Sequence, residues 1–170
     1  MKKFSLMFWS AMLFLSAFFV GAATPAAAKE TRILAFDTMV GVPHPLTGTQ
    51  AAAMFRNINA GGLAWQLSSA KGSLTSGGHL EIEVKGLVLA EGASAGSNPI
   101  TSFGATVSCV TSDGTVQNIR TATFPATTGA AKDGGGNAEI SADVVLPQPC
   151  LAPIVFVTSP SGAWFAVTGN

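Results

Sequence analysis

The sequence predicts an all-β fold: a single antiparallel β-sandwich of about seven or eight strands that follows an N-terminal leader. Clusters of Gly, Pro, Ser, Asn and Asp recur about every 8–15 residues, as turns do between short strands. Apolar and polar residues alternate in the segments between those clusters, and no strand–helix–strand pattern of a parallel sheet occurs. An immunoglobulin-like arrangement fits best, and a jelly-roll-like arrangement is the alternative.

Residues 1–28 have the three regions of a secretory signal peptide. Lys2 and Lys3 form a basic start, residues 4–20 carry no charge, and Ala26–Ala28 provides a small-residue cleavage pattern. The uncharged run is short for a membrane-spanning helix, so cleavage is favoured over a retained anchor. We therefore expect a secreted or extracellular protein, with the periplasm or the cell surface as alternatives. Residues 29–170 would form one domain without membrane association.

Charge excludes one large class of partner. The full chain has nine basic and nine acidic residues, and removal of Lys2 and Lys3 leaves seven basic residues and a net charge of −2. Charged residues are 11% of the chain, against about 25% in an average domain. Because no basic cluster is present to neutralise phosphates, we expect no nucleic-acid partner.

The predicted strands follow one another in chain order. Residues 32–36 and 65–70 read as short first strands, and residues 79–89 alternate most clearly, with Gly86 as a bulge. The apolar parity of the third strand is Leu80, Ile82, Val84 and Val88, and its polar parity is His79, Glu81, Glu83 and Lys85. Further strands are predicted over residues 103–109, 116–123, 138–146, 154–157 and 163–168.

Two cysteines, Cys109 and Cys150, predict a disulfide bond in an oxidising compartment. The bond would close a loop of about 40 residues and contribute roughly 3–4 kcal/mol of stability. Cys109 shares the apolar parity of its strand, which suits a bond beneath the core. Two separate buried thiols are the alternative.

The connection over residues 38–62 breaks the strand pattern. It begins with His44 between two prolines, and residues Thr49–Ile58 are predicted to form a short helix. A connection this long in a compact domain is either functional or disordered. We therefore expect it to carry recognition.

Polar side chains near an aromatic residue form the candidate binding site. Arg56, Asn57 and Asn59 precede Trp65, whose ring could stack on a sugar, and the flanking prolines would hold the His44 ring. These five residues are the predicted binding set. Each residue also has an alternative interpretation. Trp65 could be packed in the core, the polar residues could hydrogen-bond the backbone of the long connection, and His44 could be an ordinary loop residue.

No catalytic or metal site is predicted. Residues 92–96 match G-x-S-x-G, but the strand–turn–helix context of a nucleophile elbow is missing around Ser94. Asp133, Asn137 and Glu139 flank three glycines, and three oxygen ligands are too few for calcium. We expect no cofactor and no metal.

Four segments are similar to small exported bacterial β-rich proteins that are themselves uncharacterised. The segments are residues 36–42, 58–65, 154–160 and 164–169. The resemblance implies an exported protein and transfers no functional residue.

The predicted function is a secreted or cell-surface, non-enzymatic binding or structural module. Its partner would be an extracellular glycan or protein, and the module would be a monomer. Two alternatives stay open: a small secreted hydrolase that uses His44 or Ser94, and a protein-binding adhesin or inhibitor that presents residues 38–62.

Overall fold

A computed structural model describes residues 30–48 and 53–168, and within these ranges the protein is nearly all-β, with no α-helix. The predicted signal peptide lies outside the described residues. No helix in the described ranges is long and apolar enough to cross a membrane. The strands are β1 (Arg32–Phe36), β2 (Met39–Gly41), β3 (Met54–Phe55), β4 (Ile58–Asn59), β5 (Trp65–Gln66), β6 (Ser69–Thr75), β7 (His79–Lys85), β8 (Val88–Leu89), β9 (Ser97–Asn98), β10 (Ser102–Val110), β11 (Val116–Pro125), β12 (Gly129–Ala130), β13 (Ala138–Asp143), β14 (Leu151–Thr158) and β15 (Trp164–Thr168).

Two larger sheets organise these strands. One has the order β1-β6-β7-β13, the other has the order β11-β10-β14-β15-β2, and all neighbouring strands in both are antiparallel. The pairs β12-β9, β3-β4 and β5-β8 form separate two-stranded sheets. The prediction of a β-rich antiparallel fold is confirmed. The two larger sheets contain nine strands together, against the seven or eight predicted.

Alternating side chains of both larger sheets meet in one hydrophobic cluster. Leu80, Ile82 and Val84 of β7 are buried, as are Phe103 and Val107 of β10. The predicted apolar parities of these strands are confirmed. Burial of each such side chain contributes roughly 1.5–3 kcal/mol relative to exposure, so the cluster is the main source of stability.

Strand β14 is buried on both faces, as its continuous apolar sequence predicts. Val155, Phe156 and Val157 are all inaccessible to solvent. The second face is covered because the β3–β4 hairpin lies over the outside of the five-stranded sheet. There the Phe55 ring contacts the Phe156 ring edge-on, with centroids 5.7 Å apart.

The helix predicted over residues 49–58 is wrong for its described part. Residues 54–59 form the β3–β4 hairpin, and Arg56 and Asn57 at its turn have φ angles of 51° and 64°. Two consecutive left-handed residues make the tight turn that matches the twist of a hairpin. Packing of Phe55 on the distant Phe156 supplies the stabilisation that local helix propensity cannot match.

Two predicted strands are divided in the structure. The segment 65–70 contains all of β5 and the start of β6, and the segment 79–89 contains β7 and β8. Gly86 separates the second pair with a φ angle of 64°, and its N–H donates to Asn137 Oδ1 at 2.9 Å. The break lets β8 leave the four-stranded sheet and pair with β5.

The predicted disulfide bond between Cys109 and Cys150 is confirmed. Cys109 is fully buried at the end of β10, and Cys150 directly precedes β14. Val110 and Leu151 pair next to the bond, so it joins neighbouring strands of one sheet.

Candidate functional site

A cavity of about 450 Å³ lies where the β3–β4 hairpin covers the outer face of the five-stranded sheet. We call it the hairpin cavity. Its volume lies within the roughly 300–1,000 Å³ typical of small-molecule sites. It is lined by residues 57–60 of the hairpin, Thr106 of β10, Asn118 and Arg120 of β11, and residues 161–163 before β15.

Strand register brings the polar lining residues together. Thr106 pairs with Arg120 on one side and with Phe156 on the other, and the next residue on this face of β10, Ser108, pairs with Asn118. Residues directly opposite each other on antiparallel strands have Cβ atoms about 4.5–5.5 Å apart. Thr106, Asn118 and Arg120 therefore share one patch of the outer face.

Two residues that line the cavity each hold a buried polar atom without a hydrogen-bond partner among the described residues. The two atoms are Thr106 Oγ1, in a residue only 2% exposed, and Asn118 Oδ1. The Asn118 side chain is oriented because its Nδ2 donates to the backbone oxygen of Arg56 at 2.7 Å. A buried polar group without a partner costs about 1–3 kcal/mol. Each of these atoms exposes less than 1 Å² to solvent, so a polar ligand would recover this energy once the cavity wall opens slightly to admit it.

Arg120 is held beside these atoms by the turn before β15. Its Nη2 donates to the backbone oxygen of Pro160 at 3.0 Å. Gly162, with a φ angle of 98°, leaves room for the guanidinium, since a Cβ there would lie 2.7 Å from Arg120 Cζ. The Ala163 N–H donates to Ser159 Oγ at 3.0 Å and stabilises the same turn.

Three of the five residues predicted to bind lie at this cavity or against it. Asn57 and Asn59 are exposed and line the wall. Arg56 lies behind the wall, where its backbone accepts from Asn118 and its Nη2 donates to the backbone oxygen of Ala152 at 3.3 Å.

The other two predicted residues lie elsewhere. Trp65 is 5% exposed in the main core and stacks on Phe165 with ring centroids 4.0 Å apart. His44 has a side chain that is 68% exposed, and its Nδ1 lies 3.3 Å from Glu91. The pKa of Glu91 is lowered by the hydrogen bond from the Ala64 backbone and then by His44. A binding role for His44 and Trp65 stays a prediction.

Sequence reasoning missed Thr106, Asn118 and Arg120. No sequence signal marked them, because Thr106 and Ser108 occupy the polar parity of a strand, and only the structure shows that both are buried. Their burial depends on the hairpin above them, which the sequence pattern predicted to be helical.

A larger depression of about 820 Å³ lies on the four-stranded sheet, and its lining includes the basic Arg32 and Lys71 and the acidic Asp37, Glu81, Glu83 and Glu139. Glu83 lies 2.7 Å from both Lys71 Nζ and Lys85 Nζ, which lower its pKa to about 2. Within the described residues, no group of three or more His, Cys, Asp or Glu side chains could hold a metal ion. We therefore place the candidate site at the hairpin cavity.

Two ionisable residues of the four-stranded sheet, His79 and Glu83, should make the stability of the protein depend on pH. The pKa of His79 is raised by hydrogen bonds to Asp143, at 2.7 Å, and to Glu81, at 3.2 Å. This contribution is complete below the ordinary His pKa of 6.5 and is lost as pH rises through the higher folded value. The contribution of Glu83 is complete above its ordinary pKa of 4.5 and is lost as pH falls towards about 2.

We expect these two groups to stabilise the protein together between pH 4.5 and 6.5. Urea unfolding at a series of pH values measures the effect in the wild type, Glu83→Gln and Asp143→Asn. Glu83→Gln should reduce the loss of stability in acid, and Asp143→Asn should reduce the loss above pH 6.5. Identical pH profiles for all three proteins would contradict both assignments.

No protein-family model, curated protein or solved structure matches this chain at a significant level.

Proposed function

We propose that the protein is a non-enzymatic binding module, secreted or at the cell surface, which takes a small polar ligand into the hairpin cavity. The observation that carries this proposal is the pair of buried oxygens without a partner among the described residues, Thr106 Oγ1 and Asn118 Oδ1, in two residues that line the cavity. Folded proteins satisfy nearly all buried polar atoms, so buried atoms without a partner beside a cavity point to a ligand. Three further such atoms, Arg56 Nη1, Ser108 Oγ and Trp164 Nε1, lie in residues outside the cavity lining.

The lining of the cavity favours binding over catalysis. Arg120 is its one charged side chain, and its described lining residues include no His, Cys, Asp or Glu. General acid–base and nucleophilic catalysis at neutral pH usually need such groups. Amide, hydroxyl and guanidinium groups instead provide hydrogen bonds that orient a bound molecule.

The proposed module is one immunoglobulin-like domain over residues 29–170, exported by the signal peptide and acting as a monomer. Two antiparallel sheets with a common core support the layered architecture. The disulfide bond supports an oxidising compartment. Its position differs from that in antibody domains, where the bond connects the two sheets. The two packed sheets therefore support an immunoglobulin-like architecture, and the position of the disulfide bond does not.

The substitution Thr106→Val tests the cavity. Valine keeps the shape of threonine and removes the partnerless hydroxyl, so the free energy of unfolding should stay within about 0.5 kcal/mol or rise. Ligand affinity should fall about tenfold, as expected for one lost buried hydrogen bond. A panel of neutral and acidic sugars, screened by saturation-transfer NMR and then by calorimetry, measures binding, and urea unfolding measures stability.

Thr121→Val is the matched control. The Thr121 hydroxyl accepts from the buried Ala105 N–H at 2.9 Å where the β10–β11 register shifts. Its loss should cost about 1–3 kcal/mol of stability and leave binding unchanged. The proposal fails if Thr106→Val destabilises the protein as much as Thr121→Val does while binding persists. It also fails if the wild type binds no sugar of the panel.

A further inference from the structure

We infer that the hairpin cavity binds an acidic sugar, with the sugar carboxylate on Arg120 and the sugar hydroxyls on the amide and hydroxyl groups of the lining. This inference rests on the proposed function and adds the charge and chemical class of the ligand. Three independent features carry it: the uncompensated charge of Arg120, the restraint on its guanidinium, and the mixed donors and acceptors around it.

The first feature is charge. No carboxylate lines the cavity, and among the described residues none lies within ion-pair distance of Arg120. The described lysines each have a carboxylate partner, whereas the described arginines, Arg32, Arg56 and Arg120, have none, and of these only Arg120 lines the hairpin cavity. An arginine without a counter-charge at the mouth of a pocket favours an anionic ligand.

The second feature is the restricted conformation of the Arg120 guanidinium. The Pro160 carbonyl takes one hydrogen bond from Nη2, and the Gly162 backbone packs against the guanidinium. Arginine has five N–H donors in a planar fork that matches the two oxygens of a carboxylate. The other donors stay available on a group whose conformation is already restricted, which reduces the entropy lost on binding.

The third feature is the neutral part of the wall. The exposed amides of Asn57 and Asn59 can both donate and accept, and the Thr106 and Asn118 side chains, whose oxygens are buried, add further polar groups to the lining. Sugar hydroxyls are likewise donors and acceptors. The apolar lining is confined to Ile58, Ala60 and Ala163, too little to receive the chain of a fatty acid. A hydroxyl-rich carboxylate therefore fits better than an apolar one.

Isothermal titration of the mature protein with D-glucuronate and D-glucose tests the inference. These sugars differ in the carboxylate, so the wild type should bind glucuronate at least about tenfold more tightly, and added salt should reduce the difference. Arg120→Gln should bind both sugars equally weakly. Lys132→Gln makes the same charge change at an exposed residue outside the cavity and should retain the preference.

The outcomes separate this inference from the proposed function. Equal binding of both sugars by the wild type, or an unchanged preference in Arg120→Gln, overturns the role of the carboxylate and leaves a polar binding cavity. N-acetylalanine bound as tightly as glucuronate overturns the sugar assignment. If neither sugar binds and no other compound of the panel binds, the proposed function fails as well. Thermal unfolding of Arg120→Gln confirms that the variant is folded.

Discussion

Replacing Trp65 with alanine is expected to lower the free energy of unfolding by about 3–5 kcal/mol, as the loss of a buried large aromatic side chain does. Trp65 stacks on Phe165 at 4.0 Å and contacts Phe103 edge-on at 6.4 Å. The substitution would leave a void among aromatic rings that belong to separate strands. Since small domains are stable by only about 5–15 kcal/mol, this single change would remove a large share of the total.

Leu63→Ala is the matched control for this experiment. Leu63 is 43% exposed and lies two residues from Trp65, so its loss should change stability by about 0.5 kcal/mol or less. Urea unfolding monitored by circular dichroism measures both variants. If Trp65→Ala instead kept full stability and lost sugar binding, the sequence-based prediction that Trp65 contacts a ligand would be supported.

Removal of the disulfide bond is expected to have an effect of similar size. The double variant Cys109→Ala, Cys150→Ala should be about 3–4 kcal/mol less stable than the oxidised wild type. The bond closes a segment in which the cysteines are 41 positions apart, and this segment contains strands β11, β12 and β13. Without the bond, the unfolded chain gains conformational entropy that folding must overcome.

Reduction of the wild type provides the control for the double variant. Wild type in excess reductant should unfold at the same urea concentration as the double variant, while oxidised wild type should resist higher concentrations. Asn118 and Arg120 lie inside the closed segment, but their strand pairs with β10 independently of the bond. The folded double variant should therefore still bind a ligand of the hairpin cavity. Equal stability with and without reductant would contradict the expected contribution.

The strands of the core were predictable because each one encodes its own buried face. In β7 the apolar residues Leu80, Ile82 and Val84 alternate with charged ones, and a strand exposes successive side chains on opposite faces. The pairing of Cys109 with Cys150 followed from the presence of two cysteines alone. Neither inference required knowledge of which strands are neighbours.

The hairpin of β3 and β4 was not predictable in the same way. Its described residues are compatible with a short helix when they are considered locally, and each of its strands has two residues. What stabilises the hairpin is the contact between Phe55 and Phe156, together with the Asn118 hydrogen bond to Arg56. Both contacts join segments far apart in the sequence, so no local pattern could reveal them.

The residues of the candidate site also divide into those that the sequence could indicate and those that it could not. Asn57 and Asn59 could be selected from the sequence because polar residues in a long connection are typical of binding surfaces. Thr106 and Arg120 could not be selected, because the alternation in their strands places them among side chains that are expected to face solvent. Only the β10–β11 register places these two side chains opposite each other.

By itself the sequence determined the buried parity of the core strands and the cysteines available for a disulfide bond. Both are local properties of side-chain order and composition. Tertiary structure alone decided that a hairpin covers the outer face of the five-stranded sheet and buries Thr106 without a partner. The physical reason is that this burial arises from long-range contacts among β3, β4, β10, β11 and β14. The hairpin cavity is likewise lined by residues that only the fold brings together, from the β3–β4 hairpin, β10, β11 and the turn before β15.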